Sequence, residues 1–128
     1  MKKSKSNSRL LLLSLIFSSV PAWSAELSAN AKQEVLYLFS DLEHSGCEFF
    51  RNGTWYDGKA AAAHLQQKFQ YLVDKGMVST AESFIAKGAS ESSMSGKPYL
   101  VRCGANAKPV ESGTWLKGEL AKYRATAH

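Results

Sequence analysis

The sequence lacks most of what marks a metalloenzyme, a nucleotide-binding enzyme or a hydrolase. Its three histidines, His44, His64 and His128, are scattered, and no pair has ligand spacing on one helix face. No metal set and no cofactor are expected. There is no glycine-rich phosphate loop, no dinucleotide fingerprint and no Gly-x-Ser-x-Gly elbow. No catalytic residue can be assigned from motifs, although carboxylate chemistry would leave no motif to find. Repeats and low-complexity runs are absent, and 128 residues make one domain. Acidic residues are missing before Glu26, where Lys2, Lys3, Lys5 and Arg9 all lie. The net charge of +5 comes from 16 Lys and Arg against 11 Asp and Glu. Taking those four from the 16 leaves 12 basic against 11 acidic residues, a net +1. That near-neutral remainder removes the electrostatic case for nucleic acid and weakens it for an anionic membrane.

What is present at the start is an export signal. A basic head leads into an apolar run, Leu10–Val20, followed by Pro21 and the small residues Ala22, Ser24 and Ala25. Eleven residues are too few for a membrane span, which needs about 20. Residues 1–25 are therefore expected to be cleaved, after Ser24 or after Ala25, leaving a domain of residues 26–128 with no integral span. No cysteine lies near the cut, so the expected address is the periplasm without a lipid anchor.

Export gives meaning to the only two cysteines, Cys47 and Cys103, which both survive cleavage. A bridge is the expected state in an oxidising compartment. The alternative is a free nucleophilic Cys47 with His44 three residues before it.

The mature chain reads as α-ββ-α-α-β-α. Ser28 or Asn30 caps a first helix carrying Val35, Leu36, Leu38, Phe39 and Leu42, and Gly46 stops it. Asn52-Gly53 between Cys47–Arg51 and Thr54–Tyr56 predicts a hairpin, with Trp55 expected in the core. Asp57 caps a second helix to Asp74, with Gly76 as its stop and Leu65, Phe69, Leu72 and Val73 buried. Ser79-Thr80-Ala81-Glu82 reads as a capping box for a third helix. Tyr99–Cys103 reads as a strand, Gly104–Pro109 as a loop and Ser112 as the start of a last helix. The expectation is an α+β domain: a three-stranded antiparallel sheet, hairpin plus one later strand, packed against about four helices.

Three features could carry function. The hairpin tip offers Arg51, Asn52 and Tyr56, an arginine among aromatics of the kind that dominates contact patches. His64, Lys68 and Tyr71 share a helix face at i, i+4 and i+7, where Lys68 would keep the histidine neutral. The stretch Ser90–Tyr99, with Ser93, Ser95, Gly96, Lys97 and Tyr99, could hold an anion or a sugar through hydroxyl and backbone donors.

These residues carry a resemblance. Arg51-Asn52-Gly53, Ala63-His64-Leu65 with Lys68, Thr80-Ala81-Glu82 with Phe84-Ile85, and Ser92-Ser93-x-Ser95-Gly96-Lys97-Pro98-Tyr99 occur in that order. Over roughly residues 30–120 the chain resembles the YfeK-like exported proteins of proteobacteria, a family of unknown function. The resemblance implies a signal peptide, a periplasmic address and shared positions at Arg51, Asn52, Gly53, His64, Lys68, Ser93, Ser95, Gly96, Lys97 and Tyr99. The short run Ser95-Gly96-Lys97-Pro98-Tyr99 is also similar to the Ser-Gly-x-x-Tyr loop of periplasmic lysozyme inhibitors. That similarity implies a hydroxyl and a cation meeting catalytic carboxylates.

The reading that results is a non-enzymatic binding module for an envelope protein or glycan, using the hairpin tip and the Ser-Gly-Lys-Pro-Tyr turn. Its rivals are an envelope hydrolase built on His64, Lys68 and nearby serines, and an inhibitor of a lysozyme-type glycosidase.

Overall fold

The computed structural model describes residues 26–127, so the leader and both candidate cleavage positions lie outside the described residues. The elements are α1 (Ala29–His44), β1 (Glu48–Arg51), β2 (Thr54–Asp57), α2 (Gly58–Asp74), α3 (Ala81–Gly88), β3 (Leu100–Arg102), β4 (Val110–Glu111) and α4 (Ser112–Thr126). Among them no helix is long and apolar enough to cross a membrane.

Local chemistry sets most of the boundaries. Ser28, not Asn30, caps α1, its hydroxyl accepting from Ala31 N at 3.0 Å. Asp57 Oδ1 accepts from Ala60 N at 2.8 Å to open α2. The capping box of α3 is one residue later than the sequence suggested. Thr80 Oγ1 accepts from Ser83 N and Ser83 Oγ accepts from Thr80 N, both at 3.0 Å. Glu82 is thereby left to pair with Arg124 of α4, which also grips Glu34 of α1. Asn52 and Gly53 both take positive φ, 47° and 89°, as a tight two-residue hairpin turn requires.

The helices bury one side of a fully antiparallel sheet ordered β2-β1-β3-β4. It has four strands, not three. The extra strand, β4, is two residues long and pairs with Leu100 and Val101. So short a segment shows no alternation to read, and only its partner defines it.

Side chains alternate across the sheet. Phe49 and Val101 face inward and are buried, with the α1 stripe (Val35, Leu38, Phe39, Leu42) and Leu65, Phe84, Ile85 and Leu116 in the same core. Phe39, Phe69 and Phe84 meet edge to face at its centre.

Two apolar expectations fail for geometric reasons. Leu36 is 48% exposed, because it lies about 100° round α1 from Val35. Trp55 is paired with Phe50, so it falls on the outer face of the sheet. There it packs on Phe50 and under the Arg102 guanidinium, 4.0 Å from the ring centroid. Val73 is half-buried at the edge of the core.

Gly58 marks the tightest helix contact. A Cβ there would lie 2.2 Å from the Leu42 carbonyl oxygen, so α1 and α2 pack backbone against backbone.

Cys47 and Cys103 form the disulfide, closing a separation of 56 residues. They occupy the rung next to Glu48↔Arg102 in the β1–β3 ladder, as neighbouring antiparallel strands allow. With Cys47 bonded, the free-nucleophile alternative falls away.

Between two helices, Asp41 of α1 faces Glu119 of α4. Burial, and then the neighbouring Glu119 carboxylate, push the Asp41 carboxyl up to about 6, with Lys122 opposing. Like charges at close range favour the protonated form of one of the two acids.

Two outcomes follow from this packing. Cys47→Ser/Cys103→Ser, measured by urea denaturation, should lose about 4 kcal/mol of stability, the chain-entropy value for a separation of 56 residues. For Asp41 the folded pKa lies above the ordinary 3.8, so its contribution is present in acid and lost as pH rises through about 6. Asp41→Asn should therefore be more stable than the parent above pH 6 and converge with it towards pH 4 in thermal melts across that range.

Candidate functional site

The β1–β3 register builds the first half of the site. Glu48 pairs with Arg102 and Phe50 with Leu100, so the next rung sets Arg51 opposite Tyr99. Both belong to the inward face that carries Phe49 and Val101, but they sit at the end where the core gives way to α2. Tyr99 is 2% exposed and its ring packs on Phe49 at 5.2 Å between centroids. Its main chain is held twice, the N–H donating to Ser90 O at 2.9 Å and the carbonyl accepting from Ser112 N at 2.8 Å.

Helix α2 supplies the second half. His64 and Lys68 stand one turn apart on the face turned towards that rung. The Arg51 guanidinium reaches His64 Nδ1 at 2.9 Å and Nε2 at 3.2 Å. His64 Nε2 lies 3.3 Å from Tyr99 Oη, and Lys68 Nζ donates to the same oxygen at 3.1 Å and to Glu91 O at 3.1 Å.

One Arg51 nitrogen lies this close to both ring nitrogens, so a second positive charge on the imidazole is disfavoured and the surroundings favour neutral His64. Burial lowers the His64 pKa, and Arg51 and then Lys68 lower it further. Burial and Arg51 also lower Lys68, with Glu91 opposing. The Tyr99 phenol is raised by burial, and Arg51 works against that.

The hairpin tip and the serine-rich turn are one structure. Asn52 Nδ2 donates to Ser92 Oγ at 3.1 Å, and Asn52 Oδ1 accepts from Ser95 Oγ at 2.8 Å. Ser92, only 4% exposed, also accepts from the N–H groups of Met94 and Ser95. Gly96, at φ +70°, closes the turn with its N–H on Ser92 O at 2.9 Å.

The result is a concavity of about 220 Å³ bounded by Arg51, Asn52, His64, Lys68, Ser93 and Tyr99. Among the described residues, neither Arg51 nor Lys68 has a carboxylate within ion-pair distance. Two half-buried cations, a neutral histidine and a buried phenol suit an anionic group, which would relieve the repulsion between the cations.

Most of the sequence candidates meet here. Arg51, Asn52, His64, Lys68, Ser93 and Tyr99 line the concavity, and Tyr56 lies beneath Arg51, 4.9 Å from ring centroid to guanidinium carbon. Ser95 and Gly96 shape the turn instead. The Ser95 hydroxyl is exposed and engaged by Asn52, whereas Tyr99 is buried, so its ring is not presented outward as an inhibitor loop would need. Lys97 is exposed on the far part of the turn and lines no part of the concavity. His64 faces Arg51 and Tyr99, not a serine or a carboxylate, which is the contact a hydrolase reading needed. Among the described residues no three His, Cys, Asp or Glu side chains cluster as metal ligands.

Sequence reasoning passed over Ser92 as the buried anchor of the turn. It also missed the line-up of Gln67 with His64, whose i, i+3 spacing was there to be read.

Comparison with known proteins now places the chain. Residues 29–124 match the model of a family of unknown function, DUF5329. The chain belongs to this family. It is similar to an uncharacterised protein, YfeK, of Salmonella typhimurium, 35% identical over 82 residues. That match covers 63% of this chain and 66% of the relative. No solved structure matches it. The family match spans every side chain of the cluster, from Arg51 to Tyr99.

The electrostatics of the cluster can be checked directly. His64 has a folded pKa below the ordinary 6.5, so the unfolded chain binds the extra proton. The stability contributed by neutral His64 is complete above about pH 6.5 and is lost as pH falls through its folded value. A titration followed by NMR should show His64 titrating below 6.5, and Arg51→Met should raise its pKa towards that value. His64→Gln should flatten the stability-against-pH slope just below 6.5.

Proposed function

We propose that this protein is an exported binding module of the cell envelope whose Arg51–His64–Tyr99–Lys68 cluster holds an anionic group of its ligand. One observation carries the reading: two cations converge on one phenol and one neutral imidazole, and among the described residues neither cation has a carboxylate within ion-pair distance. Charges placed like this cost stability unless a ligand makes use of them. A guanidinium presents paired donors to a carboxylate, phosphate or sulfate, and a neighbouring ammonium adds a point charge.

The exported address rests on the basic head and short apolar run of residues 1–25, and on a disulfide of the kind that persists in oxidising compartments. Binding is favoured over nucleophilic catalysis because the ring nitrogens of His64 face a cation and a phenol, leaving no base directed at a serine or threonine hydroxyl.

The test is a titration with inorganic phosphate followed by NMR. Amide shifts should concentrate at Arg51, His64, Lys68 and Ser93, and the pKa of His64 should rise as the bound anion offsets the two cations. Arg51→Met should weaken binding at least about tenfold, about 1.4 kcal/mol. Shifts spread evenly over surface lysines, with His64 unmoved, would remove the proposal.

A further inference from the structure

The anion cluster does not stand alone on α2. Two larger concavities adjoin it, one on each side, of about 430 and 450 Å³, within the size range of small-molecule sites. His64 and Gln67 line both. The lining residues Ala60, His64, Gln67 and Tyr71 follow one another at helical spacing, so the groove runs along a single face of α2. From Ala60 to Tyr71 that is about 16 Å at 1.5 Å per residue. A lone phosphate or carboxylate would fill only the middle.

The far end carries a second charge. Lys87 of α3 lines the same concavity as Lys68. Its ammonium donates to Met77 O at 2.8 Å and, like Lys68, has no carboxylate partner among the described residues. Between the two lysines lies Tyr71, 60% exposed, one of the few large apolar surfaces this protein shows to solvent. Gln67 and Ser93 complete the lining with groups that both donate and accept.

Resting on the anion-site reading above, we infer that the groove takes an acidic oligosaccharide, one anionic group at Arg51 and Lys68 and a second near Lys87. The Tyr71 ring, with Lys75 Nζ over one face at 5.8 Å from its centroid, offers its other face as a flat apolar platform to the C–H face of a sugar, and Gln67 and Ser93 suit ring hydroxyls. An extended acidic peptide is the poorer fit. Peptides in grooves commonly pair main chain to main chain along a sheet edge, whereas the wall here is α2, whose main-chain groups are used within the helix.

The test compares four probes by isothermal titration calorimetry on the oxidised domain: a sulfated tetrasaccharide, its unsulfated counterpart, inorganic phosphate and a tetraglutamate peptide. The sulfated tetrasaccharide should bind at least about tenfold tighter than phosphate and than either other probe. Tyr71→Ser and Lys87→Gln, both on exposed or hydrogen-bond-preserving terms, should each weaken the tetrasaccharide at least about fivefold and leave phosphate affinity unchanged. A tetrasaccharide no tighter than phosphate, or a tetraglutamate peptide equally tight, overturns the oligosaccharide inference while phosphate binding leaves the anion site standing. Loss of phosphate binding as well would overturn the anion site itself.

Discussion

Tyr99 is the point at which the sheet, the helices and the site are joined. Its ring is buried against Phe49, its N–H and carbonyl are tied to Ser90 and Ser112, and its hydroxyl meets His64 and Lys68. A buried phenol must find hydrogen-bond partners for its hydroxyl, and here both lie on α2. The position of Tyr99 therefore sets the distance between β3 and α2. Through the register it also places Arg51 opposite. The turn that precedes it is stapled to the hairpin by Asn52, which uses both ends of its amide on Ser92 and Ser95.

The charge of the domain is near neutral but unevenly distributed. In one place Asp41 and Glu119 crowd two acids together, and Asp41 holds its proton up to about pH 6. In another, Arg51 and Lys68 crowd two cations around His64 and drive that histidine towards the neutral form. The two clusters respond to acid in opposite senses, since acid relieves the first and loads the second with a further charge. The first lies in a helix–helix contact and is explained by packing. The second opens on a concavity of about 220 Å³.

The sequence carried much of the fold in plain chemical signals. Ser28, Asp57 and the Asn52-Gly53 turn each act through a side chain or a φ preference within three residues of the element they start or end, so no distant contact is needed to read them. Its failures share the opposite property. β4 exists because Leu100 and Val101 are there to pair with Val110 and Glu111. Trp55 left the core because its partner Phe50 faces outward, and the capping box moved because Ser83, not Glu82, turns back on Thr80. The candidate site divides in the same way. The helix spacing of His64 and Lys68 was visible, but their convergence with Arg51 and Tyr99 depends on a strand register that spans half the chain.

The sequence by itself determined every element but β4, the helical stripes, the hairpin, the expectation that two cysteines pair and the chemical types at the site. Each follows from local backbone preference or from a count. Only the tertiary structure decided that Arg51, His64, Lys68 and Tyr99 share one concavity, that Lys97 stands apart from it, and that Ser95 bonds to Asn52 across the surface. Those facts depend on which strand lies beside which and on how closely α1 and α2 approach at Gly58. Long-range packing chooses among alternatives that local chemistry leaves equal.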